Sequence, residues 1–431
     1  MTKRILVLGA GLVVRPLINY LLAKEDVELN LVDLDKSRAE KLIAGHLRGK
    51  AIGTDKNSSN FPELIENSDI VISLLPAHLH VPVAKLCLKY SKHMVTASYI
   101  SKEMKALHSE AEKAGLLFLN EMGLDPGIDH MSAMKIIHEI RENGGHVSSF
   151  RSICGGIPAP EAANNPFKYK FSWSPIGVLK ALKSNAKYLD NNTVKEINEN
   201  QLMGISVNDT IVGYGPIEVY PNRNSIDYVD IYGIEKSTYV LRGTIRNPGW
   251  SVIIDKIKKI NYLSEDNFPS NINTYATLTN YLLEKTGASS LKEFCASDDV
   301  FHAFQWLGLE SKIEIPEHCK NPILALTHIM KSKMGYADGE RDMLILQHEF
   351  EATYEDNSTK KIRSLLIEYG ISYGDSGMAR TVSLPPAIAA LMILEGKISA
   401  RGVQIPIHRD IYMPVLAELE KLGIAFKETW N

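Results

Sequence analysis

The residues of this chain best suited to moving protons lie in one run, Glu121-Met-Gly-Leu-Asp-Pro-Gly-Ile-Asp-His130. Pro126 and Gly127 break regular structure there. The break either turns Asp125 toward a cleft or leaves its carboxylate bonded to its own backbone in an Asp-Pro-Gly turn. A carboxylate held beside a substrate amine is a proton acceptor. Tyr99, which closes an earlier apolar run, is either a second such group or a packed aromatic. Arg242, Thr244 and Arg246 alternate, so on a strand they share one face. Such a face is either solvated or a row that binds carboxylates in the forked geometry guanidinium groups favour. Gly243 between the arginines and the Asn247-Pro248-Gly249 stop favour the binding row, and Arg151 and Arg223 add to the local concentration of arginine. Near the start, Gly9-Ala10-Gly11 joins a short apolar run to an amphipathic stretch opening with Leu12 and Val13. That arrangement offers backbone N–H groups and a helix N-terminus to a pyrophosphate.

Other candidates carry less. His78-Leu-His80 has a spacing seen in metal ligation, but no third ligand is evident and no HExxH occurs, so no metal site is expected. A loop lining a cofactor explains the pair better. No Gly-x-Ser-x-Gly elbow supports acyl transfer. Cys87, Cys154, Cys295 and Cys319 are far apart, with no Cys-x-x-Cys pair, so neither a disulfide framework nor a zinc knuckle is indicated and a reducing cytoplasm is expected.

The elements that must position these groups follow from the hydrophobic pattern. Arg4–Leu8 reads as a buried parallel strand, and Leu12–Leu22 as a helix with Pro16 in its first turn. Val27–Val32 is a second strand ending on Asp33, about twenty residues past the glycines, where an acid can accept from ribose hydroxyls; the alternative for Asp33 is a helix cap. Then come a helix over Lys36–Leu47, a strand near Ala51–Gly53, strands at Ile70–Leu75, Met94–Ala97 and Leu116–Asn120, and helices at Val81–Tyr90 and Ser101–Gly115. This alternation predicts a parallel sheet with right-handed crossovers. Ligands of such sheets sit at the carboxyl ends of the strands, where Gly9, Asp33, Leu75-Pro76-Ala77-His78, Ser98-Tyr99 and Gly123-Leu124-Asp125 all fall.

Beyond Gly127 the pattern becomes mixed. Asp129–Asn143 reads as a helix and Val147–Ile153 as a strand running into Cys154-Gly155-Gly156. Ser174-Pro175 starts a helix predicted to reach Leu189, followed by short strands at Thr193–Ile197, Val219–Tyr220 and Tyr239–Ile245 and a helix over Pro248–Ile260. Residues 263–333 are mainly helical in pattern. Met343–Glu351 and Lys360–Tyr369 form a hairpin, and helices at Pro385–Leu394 and Pro414–Leu422 close the chain. At 431 residues, two or three domains are expected. With 45% apolar and 23% charged residues and a net charge of −3, nothing calls for nucleic acid, and the apolar runs are too short for a membrane span.

Several blocks together resemble a known family: GAGLVVRP, TASY, GLDPGIDH, ICGGIPAPE, NPFKYKFSWSP, RGTIR and the closing MARTVSLPPAIAA. They look like saccharopine dehydrogenase of the L-glutamate-forming kind (saccharopine reductase), from Lys3 to about Glu428. The resemblance implies an α/β architecture with a Rossmann-type doubly wound parallel sheet over 1–125, completed by about 385–431. A mixed α+β substrate-binding and dimerisation domain would span 126–262 and 334–384, with a helical insert over 263–333. It implies a homodimer and the reaction saccharopine + NAD(P)⁺ + water ⇌ L-glutamate + L-2-aminoadipate 6-semialdehyde. Carried over residue by residue, substrate contacts fall on Ser98, Tyr99, Asp125, Arg223 and Thr244-Ile245-Arg246, with Arg242 in the same row. Cys154 lies beside them and Ser172–Ser174 nears the nicotinamide. Asp125 or Tyr99 would accept the proton, and Cys154 tunes the site or fills space. Val14 stands where relatives have a smaller residue. The carboxylate of Asp33 should repel a 2′-phosphate and so favour NAD over NADP, with Arg38 the residue able to reverse that. Two rival readings are an imine reductase resembling carboxynorspermidine dehydrogenase, for whose substrate the arginine row is ill suited, and a dinucleotide-binding regulator without turnover.

Overall fold

The computed structural model describes residues 2–431. The chain forms two compact units, Met1–Gly145 with Asp375–Lys427, and His146–Gly374 with Glu428–Asn431.

In the first unit, strands β1 (Lys3–Leu8), β2 (Val27–Asp33), β3 (Gly49–Gly53), β4 (Ile70–Ser73), β5 (His93–Thr96) and β6 (Leu117–Leu119) build a seven-stranded sheet together with Gly402–Gln404. The order is Gly402–Gln404, β6, β5, β4, β1, β2, β3, and every pairing is parallel. Its central strands are apolar on both faces because helices cover both; Ile5–Leu8 and Ile70–Ile72 are 0–1% exposed. The order reverses between β4 and β1, so the crevice where such sheets take ligands opens beside the Gly9 turn. Helix Arg15–Leu22 has Pro16 in its first turn, as expected, and Val14 at its N-cap is fully buried. The larger residue at position 14 is absorbed by the core.

The second unit centres on a nine-stranded sheet. It contains β7 (Gly145–Pro158), β8 (Ala186–Asp190), β9 (Thr193–Ile197), β10 (Val207–Ile211), β11 (Gly215–Pro221), β12 (Tyr239–Arg246), β13 (Asp342–Tyr354) and β14 (Thr359–Tyr369), with Lys427–Trp430 at its edge. β7 and β12 run parallel, and β11 and β14 pair antiparallel to β12 and β13. Helices Tyr275–Glu284, Leu291–Cys295, Asp298–Leu307 and Pro322–Lys333 pack with Trp250–Lys259 around one apolar cluster that includes Phe167, Tyr169 and Trp250.

Several elements differ from the sequence pattern. The helix expected to run from Pro175 to Leu189 stops at Ala181, and Ala186–Asp190 is instead a strand paired with β9. The helix expected over Ser101–Gly115 is two short ones, Lys102–Lys105 and His108–Lys113. The helix after Asp35 ends at Ile43, where Ala44 turns left-handed. The penultimate helix begins at Gly377 and not at Pro385, so Pro385 and Pro386 lie inside it. This helix, Gly377–Leu394, is long and apolar enough to cross a membrane by length and composition alone, but 78% of it is buried inside the protein. It is a core helix, carrying its apolar residues on all sides for that reason.

Candidate active site

The first unit gathers one set of the expected residues at its strand ends. Gly9 has φ +102° and donates its N–H to the Val32 carbonyl at 2.8 Å. A Cβ there would lie 2.9 Å from the Leu74 carbonyl oxygen, so only glycine lets the turn pass over β4. A Cβ at Gly11 would meet no protein atom within 4 Å, and Leu12 is 74% exposed. Helix Arg15–Leu22 has no side-chain cap and no acid in its first turn. Its amides and positive dipole end therefore suit a pyrophosphate. Asp33 accepts from the Ala10 N–H at 2.8 Å and the Asp35 N–H at 2.9 Å. Its Oδ2 thus ties β2 to the glycine turn and its Oδ1 holds the approach to the following helix, which Asp35 caps by accepting from Ser37 N–H.

At the ends of β4 and β5, His78 is exposed, whereas His80 is buried. His80 hydrogen-bonds through Nδ1 with Ser73 Oγ at 2.9 Å and through Nε2 with Ser98 Oγ at 2.8 Å and Thr96 Oγ1 at 3.3 Å. The ring holds Ser98 in place, a role its spacing from His78 did not reveal. Burial, and secondarily the nearby His78, lowers its pKa from 6.5 to about 4. The neutral ring is therefore native, and protonation favours unfolding. Stability present above about pH 6.5 is lost as pH falls toward 4, by at most about 3 kcal/mol from this group. Urea unfolding at pH 7 and pH 5 should show the loss in the native sequence and a smaller one in His80→Gln.

The Tyr99 hydroxyl donates to Asp125 Oδ1 at 2.9 Å. Asp125 is half-buried while its neighbours in the 121–130 run are buried. The Asp125 carboxylate is thus paired with Tyr99. Glu121 organises this corner. It has φ +59°, its N–H donates to the Ser98 carbonyl at 3.1 Å, its Oε1 accepts from Ile100 N–H at 2.9 Å, and its Oε2 lies 2.7 Å from His130 Nε2. This buried acid thus spans the two loops carrying Tyr99 and Asp125. Nothing in its sequence spacing marks it out, because its partners come from a separate loop and from the following helix. Gly127, at φ +146°, is pressed onto Gly123; a Cβ would lie 2.1 Å from the Gly123 oxygen. Gly127→Ala should therefore destabilise the first unit by about 3–5 kcal/mol, read as a lowered urea midpoint.

The second unit gathers the arginines. Arg242 and Arg246 are 3% and 7% exposed, which rules out the solvated face and places the row inside the protein. The loop after β11 is stitched to β12: Asn222 N–H donates to the Arg242 carbonyl, and Arg242 N–H donates to Ser225 Oγ, each at 2.8 Å. This sets Arg223, exposed and at φ +53°, beside that strand. The Arg242 guanidinium lies 4.2 Å from the Tyr228 ring centroid. The Arg246 guanidinium lies 5.0 Å from the Tyr169 ring and 5.5 Å from Trp250. Its Nη1 donates to the Ile245 carbonyl at 2.7 Å, and its Nε is buried with no partner. A buried cation held by ring faces and one carbonyl, with a donor unspent, is suited to a ligand carboxylate.

Cys154 is buried in β7, in register with Thr244 of β12. The Gly155 that follows allows these strands to close, since a Cβ there would sit 2.5 Å from the Ile245 oxygen. The Ile245 side chain is fully buried in the apolar cluster of the sheet, so only its backbone is placed to meet a ligand. Ser174 caps helix Pro175–Ala181 by accepting from Gly177 N–H at 3.3 Å. Arg151, grouped with the others by sequence, is committed to Asp209 at 2.6 Å and Glu349 at 2.8 Å.

Comparison with known proteins bears on both units. Residues 5–119 match the saccharopine dehydrogenase NADP binding domain, and residues 123–424 the saccharopine dehydrogenase C-terminal domain. The chain belongs to the saccharopine dehydrogenase family. Within it, the chain is 36% identical to the saccharopine dehydrogenase [NADP(+), L-glutamate-forming] of Saccharomyces cerevisiae, over 99% of each chain. It is 35% identical to the mitochondrial alpha-aminoadipic semialdehyde synthase of Bos taurus, over 98% of this chain and 47% of that protein. The chain thus spans about half the length of the synthases it matches and nearly all of the dehydrogenases. The structure of apo histidine-tagged saccharopine dehydrogenase (L-Glu forming) from Saccharomyces cerevisiae superposes with a TM-score of 0.91 at 34% identity, covering all of both chains. The saccharopine dehydrogenase fold expected from the sequence, a Rossmann-type parallel sheet plus a mixed second sheet, is the fold observed. A nicotinamide dinucleotide is the cofactor class, and the comparisons point to NADP, against the preference for NAD that Asp33 suggested.

Proposed function

We propose that this protein is an NADP-dependent oxidoreductase acting on the CH–NH bond of saccharopine, releasing L-glutamate and L-2-aminoadipate 6-semialdehyde. The observation that carries the reading is Arg246, a buried guanidinium with an unspent donor in a strand that also bears Arg242. Saccharopine has three carboxylates, and a guanidinium in a water-poor setting binds one strongly. A polyamine-tailed substrate would want acids in that row, which disfavours the carboxynorspermidine-type reading. A regulator without turnover would have no use for the Tyr99–Asp125 pair.

Within the second unit the arginines are suited to hold substrate carboxylates, and within the first His80 fixes the Ser98 hydroxyl. A bound dinucleotide would supply the acceptor for hydride from the carbon bearing the secondary amine. Asp125, with Tyr99 as its hydrogen-bonded partner, takes the amine proton as the substrate imine forms, returns it to the imine nitrogen, then takes a proton from the water that adds to the carbon and passes it to the departing amine. Loss of the amine from the carbinolamine gives the two products. Cys154 lies beside Thr244, and no covalent intermediate is needed. Mixing protein, saccharopine and NADP and following the near-ultraviolet absorbance of reduced nicotinamide tests the reading. No reduction with either dinucleotide would refute it.

The NADP preference has a local rationale. Both Asp33 oxygens are spent on backbone N–H groups, which weakens its repulsion of a 2′-phosphate. Lys36, Ser37 and Arg38 are exposed in the first turn of the next helix, the Arg38 Nε 3.4 Å from Asp35. Arg38→Ala should lower kcat/KM for NADP by about 10- to 100-fold and leave that for NAD nearly unchanged. A homodimer in the cytoplasm remains our proposal for its setting; all four cysteines are free and buried, which fits a reducing compartment.

A further inference from the structure

The helical part of the second unit carries a side-chain cluster that the proposed reaction does not use. His318, Cys319 and His328 bring one imidazole nitrogen each and the thiol sulfur to within 4.8 Å of one another. Among the described residues this is the one group of three or more His, Cys, Asp or Glu side chains so arranged. We propose that it is a binding site for a divalent, borderline-soft metal ion of the zinc type, on the surface of this helical region.

One thiolate and two imidazoles suit Zn(II) and Co(II), whereas Mg(II) and Ca(II) demand oxygen. At about 2.3 Å to sulfur and about 2.0 Å to nitrogen, tetrahedral ligands stand about 3.3–3.6 Å apart. The observed spread is within about 1.5 Å of that, a gap that rotation of two exposed imidazoles closes. Sequence spacing could not show this: His318 and Cys319 sit on a turn, and His328 lies nine residues on, in the second helical turn after the cap.

The backbone under the donors is fixed from several sides. Cys319 N–H donates to the Pro316 carbonyl at 2.8 Å, and the Lys320 carbonyl accepts from Phe268 N–H at 3.2 Å. Asn321 caps helix Pro322–Lys333, accepting from Leu324 N–H at 3.1 Å, while its Nδ2 donates to the Glu265 carbonyl at 3.1 Å. The helix then presents His328. Cys319 is 3% exposed and lies against the apolar cluster, while both histidines are exposed. The thiol therefore forms the floor and the imidazoles the mouth. The rings stand 6.0 Å apart at 72°, edge to face, the arrangement two histidines also adopt without a metal. On binding, the Cys319 S–H proton is released to solvent as the sulfur–metal bond forms, and water completes the coordination. The ion would tie the turn to the helix.

The test uses the full chain, reduced and treated with chelator, titrated with Co(II) alone. The expected result is a thiolate-to-cobalt charge-transfer band saturating at one equivalent, displaced by Zn(II) and absent in Cys319→Ala. His328→Gln alters an exposed side chain, so it should fold normally and bind at least about 10-fold more weakly. Zinc at about 100 times its Kd should raise the melting temperature of the native sequence by roughly 5 °C and that of His328→Gln by much less. Absence of the sulfur band, a band that survives Cys319→Ala, or equal affinity in His328→Gln would each overturn the site. Any of these would leave the cluster as packing, and none bears on the saccharopine reaction.

Discussion

Asp125→Asn should lower kcat for saccharopine oxidation by about 10²- to 10⁴-fold, the range associated with a positioned general base, and leave dinucleotide affinity unchanged. The asparagine keeps the volume and still accepts from the Tyr99 hydroxyl, which now donates to Asp125 at 2.9 Å. What it loses is the capacity to take a proton. Tyr99→Phe removes only the hydrogen bond that orients the carboxylate, so its effect should be about 10-fold. Pre-steady-state kinetics with each variant separates the roles. Were Tyr99→Phe the more damaging, the tyrosine would be the acceptor and Asp125 its support. Native turnover in Asp125→Asn would remove both from the chemistry.

Arg246→Met should raise KM for saccharopine by about 100-fold or more, in line with the loss of one partner from a buried, hydrogen-bonded charge pair. Methionine fills much of the space between the Tyr169 and Trp250 rings, so the fold should hold. Arg223→Ala, at an exposed position, should raise KM by about 10-fold with cofactor affinity intact. Arg151→Ala is the control. Its guanidinium is spent on Asp209 and Glu349, so it should lower stability and leave KM alone. If all three variants lost substrate and cofactor binding together, the arginines would be holding the fold and not the ligand.

The parallel sheet was readable because its strands are short, apolar on both faces and punctuated by glycine. The alternation of Arg242, Thr244 and Arg246 likewise marked one face, although only burial could decide whether that face was wet. Harder to read were features whose cause is tertiary. Ala186–Asp190 continues a helix-like pattern, yet is drawn into a sheet by β9 and β12. Pro385 and Pro386 look like a helix start, but the surrounding core keeps the helix going through them. Glu121 and His80 were invisible as organisers because each draws partners from separate elements. Asp33 shows the opposite failure. Its position past the glycines is legible in the sequence and favours NAD, but the sequence does not show that both its oxygens are already engaged.

The dinucleotide-binding unit is split in sequence, with residues 146–374 intervening between its halves. Helix Gly377–Leu394 packs against helix Arg15–Leu22 and against β4 and β5, so those surfaces stay uncovered until the distal part has left the ribosome. At ~5–20 residues per second, the intervening stretch alone delays that by on the order of 10–50 s. The nascent amino-terminal half must spend this interval as an incomplete, sticky body, a client for holdase chaperones. A chain released early, before Asp375, should accordingly accumulate in inclusion bodies and not as a soluble nucleotide-binding fragment.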